Sequence, residues 1–386
     1  MGQNELFRFD MPGRCVFDLY LHCKNNMKMG SYKLDDVAKK FVGDQKIDLP
    51  YKKMFELFLS GGAKGRATVA EYCSKDCDLV LRIIQSGCIF TDNVEHSRVT
   101  YTLLSWLVTR GQQVRVYSQI GRFCERLSVA LNYKFFKPPE TYEGATVIEP
   151  KKGYYEQPVA TLDFASLYPS IMQAHNLCFS SIVLPEQRKK VEAMAKKGTV
   201  VVEKIMASGE EHWFVQEKTF KAILPRLLHD LLTARRAVKK LMKTEKDPFK
   251  HQLLNSKQLA LKISCNSAYG YTGSRNAKMS CWPIAACTTS QGRQMIDDTK
   301  AAVETQYNCT VVYGDTDSVM CLFHDCGPTE EGMRQSWKLA EEAADYVTNV
   351  TFQDHPTVEL EAEKVYWPFL IFDRKKRYIG RTYLDP

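Results

Sequence analysis

The order of apolar and polar positions predicts a mixed chain of helices and strands. Apolar residues recur at helical spacing near 34–42, 68–86 and 118–131, which predicts helices in a mixed α/β first third. Prolines and glycines then punctuate residues 137–153, and such punctuation is typical of a linker or domain boundary. The next stretch, Val159–Phe164, is apolar enough to form a strand buried in a sheet.

Two long helical patterns follow in the middle of the chain. The first begins at Pro225 and lasts to about Lys243. The second runs from Pro248 to about Tyr269, where Gly270 can end it. Together they predict two antiparallel helices.

The rest of the chain alternates between helical and extended patterns. Residues 186–197 carry Lys and Glu around few apolar positions, which predicts a solvated insertion. Residues 308–323 have two β-rich arms around a polar Gly-Asp-Thr-Asp centre, the pattern of a hairpin. A helix is expected near 329–350, followed by a β-rich basic segment.

Composition restricts the class of protein. The 386 residues include 53 Lys and Arg against 45 Asp and Glu, a formal net charge of +8, with 44% hydrophobic and 25% charged residues. These proportions are ordinary for a globular protein and exclude a fibrous or largely disordered chain. The modest basic excess favours a polyanionic partner.

Cysteine usage and hydropathy indicate an intracellular location. The 13 cysteines are an odd number and contain no Cys-x2-Cys pair, so neither a disulfide framework nor a zinc ribbon is expected. No apolar run approaches the roughly 18–20 residues of a membrane span, and no signal peptide is recognisable. We therefore expect a reducing compartment and no membrane partner.

The predicted hairpin carries two carboxylates, Asp315 and Asp317, which are separated by a single residue. Carboxylates this close repel each other unless cations sit between them. Oxygen-rich sites of this kind suit Mg²⁺, which also takes water and phosphate oxygens as ligands. The alternative is an Asp-Thr-Asp surface turn without a metal.

A third carboxylate, Asp163, lies at the end of the buried strand predicted before it. Backbone N–H groups in the following turn could hold phosphates. Asp163 and Asp317 could then bridge two cations about 3.5–4 Å apart, the arrangement used for in-line phosphoryl transfer. The alternative is an Asp that caps a helix N-terminus.

The two predicted helices carry a basic stripe. Arg235, Lys239 and Lys243 recur one turn apart on the first helix. Such a stripe could hold a triphosphate, although an ordinary solvated helix face is the alternative. The residues that share one face of the second helix are Lys262, Asn266 and Tyr269.

Three ordered stretches resemble known motifs. DFASLYPSIM (163–172), KISCNSAYG (262–270) and YGDTDS (313–318) resemble motifs A, B and C of family B DNA polymerases, closest to the delta type and its relatives in large DNA viruses. The resemblance extends to RGQQVRVYSQ (110–119), YEGATVIEP (142–150) and DRKKRYIG (373–380). It covers nearly the whole chain and favours an internal piece of a larger polymerase, with a large DNA virus as the expected source.

The resemblance implies a right-hand polymerase core of the α/β class. The chain would begin with the C-terminal part of a ribonuclease H-like 3′–5′ exonuclease domain. A mixed α/β palm with an antiparallel catalytic sheet and two-helix fingers would follow, and the thumb would be missing. The implied divisions are 1–135 for the exonuclease part and linker helices, 136–217 for the first palm part, 218–278 for the fingers and 279–386 for the second palm part.

The implied activity is template-dependent 5′–3′ addition of deoxynucleoside triphosphates to a primer 3′-OH by two-metal phosphoryl transfer in DNA replication. Asp163 and Asp317 would bind two Mg²⁺ ions, for which Mn²⁺ could substitute. Asp315 would lie beside them, and the Phe164 carbonyl would complete the coordination shell of one metal. Tyr168 would exclude a ribose 2′-OH. The implied nucleotide contacts are Phe164, Ser166, Leu167, Tyr168, Arg235, Lys239, Lys262, Asn266 and Tyr269.

The implied partners are primer–template DNA and deoxynucleoside triphosphates, with a sliding clamp and accessory subunits as further candidates. The location would be a nucleus or a viral replication site in the nucleus or cytoplasm. The implied DNA contacts are Tyr142, Gly144, Gly270, Lys375, Lys376, Arg377 and Tyr378.

A second activity is suggested by Tyr72 and Asp76, which resemble the Tyr-x-x-x-Asp motif of the family's proofreading exonuclease. An i, i+4 spacing places both side chains on one helix face. The upstream acidic motifs of that site are not found in residues 1–71. The alternatives to a polymerase are therefore a 3′–5′ exonuclease only, or an inactive fragment or polymerase-like DNA-binding module.

Overall fold

The computed structural model describes residues 11–130, 136 and 143–384. The chain divides into two compact units, the first formed by Met1–Arg115 with Arg235–Leu261 and the second by Val116–Ala234 with Lys262–Pro386. The four domains expected from the resemblance, with their boundaries, remain predictions. None of the helices described here has the length and apolarity needed to cross a membrane.

Helices build the first unit. The predicted helices near 34–42 and 68–86 are confirmed, whereas the one expected at 118–131 lies earlier, at Gln112–Arg126. It ends there because Ser128 adopts a left-handed backbone, with φ of 53°, which cannot continue a helix. The helices are α1 Leu19–Asn26, α2 Leu34–Val42, α3 Tyr51–Ser60, α4 Gly62–Ser86, α5 Ile89–Thr100, α6 Leu104–Thr109 and α7 Gln112–Arg126, the last of which continues into the second unit.

The core of the first unit lies where α1, α2, α4 and α5 meet. Leu79 and Ile83, one turn apart on α4, are fully buried against Val37 and Ala38 of α2. This spacing is the i, i+4 pattern from which the helix was predicted.

Two long helices, α10 (Ile223–Thr244) and α11 (Pro248–Gly273), each belong partly to both units. The break between them is confirmed, and the Asp247 side chain caps α11 by accepting hydrogen bonds from Phe249 and Lys250 N–H. The prediction that Gly270 ends α11 is wrong. Gly270 has no left-handed backbone, and the helix continues to Gly273. Within the first unit, the Ser256 hydroxyl of α11 donates to the Asp92 carboxylate of α5.

Two antiparallel sheets lie in the second unit. The larger has the order β1-β7-β8-β3-β9-β10, with β2 paired to β9, and the smaller has the order β4-β6-β5. The predicted buried strand and hairpin are thus confirmed within a mixed α/β fold. The strands are β1 Val147–Ile148, β2 Gly153–Tyr155, β3 Val159–Phe164, β4 Ile182–Val183, β5 Val202–Ala207, β6 Glu210–Val215, β7 Cys309–Asp315, β8 Ser318–Phe323, β9 Leu360–Ile371 and β10 Tyr378–Tyr383.

Four further helices complete the second unit: α8 Leu167–Ala174, α9 Arg188–Lys196, α12 Trp282–Gln306 and α13 Glu330–Tyr346. Helix α12 contacts α8, β7 and β8, and α13 contacts β3, β8 and β9. A π-helical turn at Val347–Thr351 continues α13 without a break, which confirms the helix expected near 329–350. Helix α9 has no buried residue, which confirms a solvated insertion.

Candidate active site

Three acidic residues, Asp163, Asp315 and Asp317, lie where β3 ends beside the turn between β7 and β8. In the sheet register Asp163 of β3 opposes Ser318 of β8 on one side and Glu361 of β9 on the other. The turn is tight, because Asp317 N–H donates to the Asp315 carbonyl over 2.7 Å. Thr316 between them adopts a left-handed backbone, with φ of 64°.

A backbone hydrogen bond joins this turn to β3. Phe164 N–H donates to the Asp317 carbonyl over 2.8 Å, directly after Asp163 in the chain. The two carboxylates expected to bind metal are thereby held on neighbouring strand ends.

The electrostatics of this cluster disfavour negative charge. Burial, with the charges of Asp317 and Glu363, raises the pKa of the Asp163 carboxyl to about 7. Burial, with the charge of Asp315, also raises the pKa of Asp317. Both shifts arise because carboxylates crowd a half-buried site. Asp315 differs, since the Lys376 ammonium lies 2.7 and 2.9 Å from its two oxygens.

The donor set at this cluster fits a divalent cation bound together with substrate. Half-buried carboxylate oxygens whose charges repel are stabilised by a hard cation placed between them. Across the described parts of the chain, no group of three or more His, Cys, Asp or Glu residues could hold a metal ion. Mg²⁺ usually takes phosphate and water oxygens as part of its coordination shell.

The chain turns sharply after β3 into helix α8. Ala165 N–H donates to the Glu359 carbonyl over 2.9 Å, and Ser166 then takes a left-handed backbone with φ of 57° as the residue before α8. The alternative in which Asp163 caps this helix is wrong, since Ser166 occupies that position. The N-terminal turn of α8, with Leu167 and Tyr168, begins four residues after Asp163. Backbone N–H groups at such a position favour phosphate.

Tyr168 and Tyr269, both expected to contact nucleotide, lie together in the structure. Their ring centroids are 4.3 Å apart with the planes tilted by 32°. On α12, Gly292 leaves room for the Tyr168 ring, because a Cβ at that position would lie 3.3 Å from Tyr168 Cε1. A tyrosine pair on α8 and α11 is thus packed against α12.

The basic candidates are divided between the two units. Arg235 and Lys239 of α10 belong to the first unit, whereas Lys262 and Asn266 of α11 belong to the second. Lys239, Lys262 and Asn266 are exposed and Arg235 is half-buried. The common face of Lys262, Asn266 and Tyr269 is retained because α11 continues unbroken past all three.

The loop between β9 and β10, together with the first residue of β10, carries the four candidates for DNA contact in the last segment. Lys376 N–H donates to the Tyr313 hydroxyl over 2.8 Å, while its ammonium binds Asp315. Lys375 pairs with Glu149 at 2.7 Å. The Tyr378 ring packs 5.9 Å from the Tyr313 ring, and Arg377 is exposed. The loop is therefore fastened to the hairpin that carries Asp315.

Gly144 is held by helix α12. The Arg293 guanidinium donates to the Gly144 carbonyl over 2.8 Å and to the Glu143 carbonyl over 3.2 Å. The Thr289 hydroxyl donates to the same Glu143 carbonyl over 2.9 Å. Tyr142, its predicted neighbour in DNA contact, lies outside the described residues, and Gly270 is exposed on α11.

Tyr72 and Asp76 share one face of α4, as their spacing predicts. The Lys46 ammonium bridges them, 2.9 Å from the Tyr72 hydroxyl and 2.8 Å from the Asp76 carboxylate. The other Asp76 oxygen is buried and has no hydrogen-bond partner. In this arrangement a lysine compensates the Asp76 charge.

Sequence reasoning missed Lys46, Thr289 and Arg293. Nothing in the local pattern singles out Lys46, which meets α4 only through the fold. Thr289 and Arg293 are four residues apart on a long helical pattern, so they share a face, and that spacing could have identified them.

The chain belongs to DNA polymerase family B, whose sequence model matches residues 102–386. That match includes the three acidic residues and the tyrosine pair described above. The viral source expected from the sequence is not supported by these comparisons.

Curated relatives resemble the chain along its whole length. It is 40% identical over 395 residues to the DNA polymerase delta catalytic subunit of Drosophila melanogaster, covering 100% of this chain and 35% of that protein. It is 41% identical over 388 residues to the subunit of the same name from Schizosaccharomyces pombe, covering 98% and 34%. The subunit from Candida albicans is 40% identical over 394 residues, covering 100% and 36%. The chain therefore spans about a third of the length of these relatives.

Proposed function

We propose that this chain carries the catalytic region of a DNA-directed DNA polymerase that extends a primer 3′-OH with deoxynucleoside triphosphates during DNA replication. The observation that carries the proposal is the position of Asp163 at the end of β3 beside the turn that holds Asp317. Burial raises the pKa of both carboxyls, together with the charge of Asp317 at Asp163 and that of Asp315 at Asp317. The family membership and the relatives named above support it.

In this proposal Asp163, Asp317 and the Phe164 carbonyl hold two Mg²⁺ ions, or Mn²⁺ in their place. Metals bound there supply Lewis-acid activation of the primer hydroxyl and stabilisation of the departing pyrophosphate. Lys376 keeps Asp315 neutralised and holds the turn that carries Asp317.

The remaining candidates are proposed to orient the substrates. The backbone of Ser166 and Leu167 receives the triphosphate at the start of α8, and Tyr168 excludes a ribose 2′-OH. Arg235, Lys239 and Lys262 would bind phosphate oxygens, while Asn266 and Tyr269 would face the base pair. We assign primer–template contact to Gly144, Gly270 and the β9–β10 loop, with Lys375, Lys376, Arg377 and Tyr378.

The proposal also assigns the parts of this fold to the domains of a complete polymerase. The sheet of the second unit would be the palm, α10 and α11 the fingers, and the N-terminal helices the end of an exonuclease domain. The proposal also includes a sliding clamp, accessory subunits and a location in a nucleus. Exonuclease-only activity is disfavoured because Lys46 compensates the charge of Asp76, the acidic member of the Tyr72–Asp76 pair.

Primer extension tests the proposal most directly. We expect Asp317→Ala to lower Mg²⁺-dependent extension by at least about a thousand-fold, because a metal ligand at the reacting centre is lost. Binding of primer–template duplex, measured by fluorescence anisotropy, should remain, since phosphate contacts supply most of that affinity. The measurement is made in the complete polymerase.

A matched control is Asp325→Ala, which removes an exposed carboxylate beyond the other end of β8. This variant should extend primers at the normal rate. Normal extension by the Asp317→Ala enzyme would refute the assignment of the metal site.

A further inference from the structure

The edge of the catalytic sheet is covered by an extended segment, residues 143–151, which we call the strap. Thr316 N–H, in the middle of the catalytic turn, donates to the Thr146 carbonyl over 3.2 Å. The β1 strand of the strap then pairs with β7 and opposes Asp315 and Gly314. The strap is thus the outer backbone neighbour of the turn that carries the candidate catalytic carboxylates.

The first two residues of the strap are fixed by side chains of α12. Arg293 donates to the carbonyls of Glu143 and Gly144, and Thr289 donates to that of Glu143. Arg293 also pairs with the Glu143 carboxylate at 3.0 Å, and its own side chain is only 20% exposed. A planar guanidinium that binds two successive carbonyls holds the backbone in one orientation.

The strap packs closely against the hairpin at Gly314. A Cβ there would lie 2.7 Å from Ile148 Cδ1 and 3.1 Å from the Ser318 carbonyl oxygen, so the glycine permits this close approach. Gly144 and Thr146 are two residues apart, which is less than about 7 Å of extended chain. The anchored end and the Thr146 carbonyl are therefore close along the chain.

We propose that Arg293, supported by Thr289, is a positioning residue for the polymerase reaction. By fixing Glu143 and Gly144 it holds the strap, and through the Thr146 carbonyl it keeps Thr316 in the left-handed conformation that places Asp317 beside Asp163. The same bonds hold Gly144, a candidate template contact, in register with the carboxylates. The catalytic part of this inference rests on the proposed function, whereas the mechanical part does not.

Hydrogen exchange of the Thr316 amide in the 386-residue chain tests the mechanical part. In the Arg293→Ala variant we expect this amide to exchange about ten-fold faster, because the strap that accepts its hydrogen bond is released. Gln294→Ala is the matched control, since Gln294 is the next residue on α12, is exposed, and donates to Asp298 of its own helix. It should leave the exchange unchanged.

Conservative variants keep the test informative if Arg293→Ala folds poorly. Thr289→Ser retains the hydroxyl and should exchange normally, whereas Thr289→Ala should exchange faster. Glu143→Gln removes an ion pair whose carboxylate is 75% exposed but leaves both carbonyl acceptors, so it should behave as the normal chain. Unchanged Thr316 exchange in both Arg293→Ala and Thr289→Ala would overturn the inference.

Kinetics in the complete polymerase test the catalytic part. Arg293→Ala should lower kcat for primer extension about ten-fold or more with a smaller change in KM for the nucleotide, and Thr289→Ser should extend normally. A lower melting temperature with normal kcat would assign Arg293 to stability alone and overturn its positioning role. If Asp317→Ala keeps full activity, the proposed function fails, but the exchange result still decides whether Arg293 holds the turn.

Discussion

The three carboxylates of the site are chemically unequal, and single residues cause the difference. Lys376 binds both oxygens of Asp315, so the protein itself neutralises that charge. Asp163 and Asp317 repel each other in a half-buried position, and the pKa of each is raised. The site therefore contains one carboxylate that is paired with a lysine and two carboxylates that a bound cation would stabilise.

This difference predicts a pH-dependent stabilisation by metal. Because the pKa of Asp163 in the folded chain is about 7 instead of the ordinary 3.8, the folded chain binds more protons than the unfolded chain between these values. Its free energy of unfolding without metal should then fall as the pH rises through that window. Added Mg²⁺ should raise the melting temperature more at pH 7.5 than at pH 5, measured by scanning calorimetry.

The Asp163→Asn variant provides the control for this measurement. The free energy of unfolding of this variant should fall much less as the pH rises. Its melting temperature should also respond much less to Mg²⁺. An equal Mg²⁺ effect at both pH values in the normal chain would contradict the assignment.

At the scale of elements, patterns within one stretch of sequence were predictable and pairings between distant stretches were not. Strand β3 and the β7–β8 hairpin follow from local apolar alternation and a polar turn. The position of β9 between β3 and β10 could not be predicted from the sequence, because it depends on contacts made across the whole second unit. Gly270 was misjudged since a glycine breaks a helix only where the backbone must turn left-handed.

The candidate site shows the same limit. Asp163, Asp315 and Asp317 were predicted as a cluster, whereas the contacts of Lys376 with Asp315 and of Arg293 with Gly144 join residues far apart in sequence. The packing of α8 against α12 also depends on a distant residue, Gly292, which admits the Tyr168 ring.

The packing of Tyr168 between α12 and Tyr269 predicts a test of its steric role. Tyr168→Ala should raise incorporation of ribonucleotides relative to deoxyribonucleotides about ten-fold or more, because the ring that would meet a 2′-OH is removed. Tyr168→Phe keeps the ring and should preserve the discrimination. Competition between the two nucleotides in primer extension measures the ratio, and an unchanged ratio in the alanine variant would exclude the role.

On the scale of the whole molecule, the net charge of +8 is modest. The positions of the basic residues therefore matter more for DNA binding than their total charge. The β9–β10 loop carries Lys375, Lys376 and Arg377 in succession, but their charges have different partners. Lys375 pairs with Glu149 and Lys376 with Asp315. Arg377 is exposed at the same loop and is the member best placed to meet a phosphate.

DNA binding should therefore depend on salt through Arg377. Arg377→Ala should weaken binding of the chain to primer–template duplex and reduce the slope of log affinity against log salt by about one, the effect of one lost phosphate contact. Lys338→Ala, which removes the same charge from an exposed position on α13, should leave the slope nearly unchanged. Equal changes in both variants would show that only net charge matters.

The division of the first unit has a consequence for synthesis of the protein. Its early helices belong with residues 235–261, although residues 116–234 of the other unit come between them in the chain. The carboxylate of Asp92 meets its Ser256 partner only after that interval has been translated. A nascent chain on the ribosome therefore carries an incomplete first unit for much of its elongation, and we expect that unit to close before the last strand of the second has emerged.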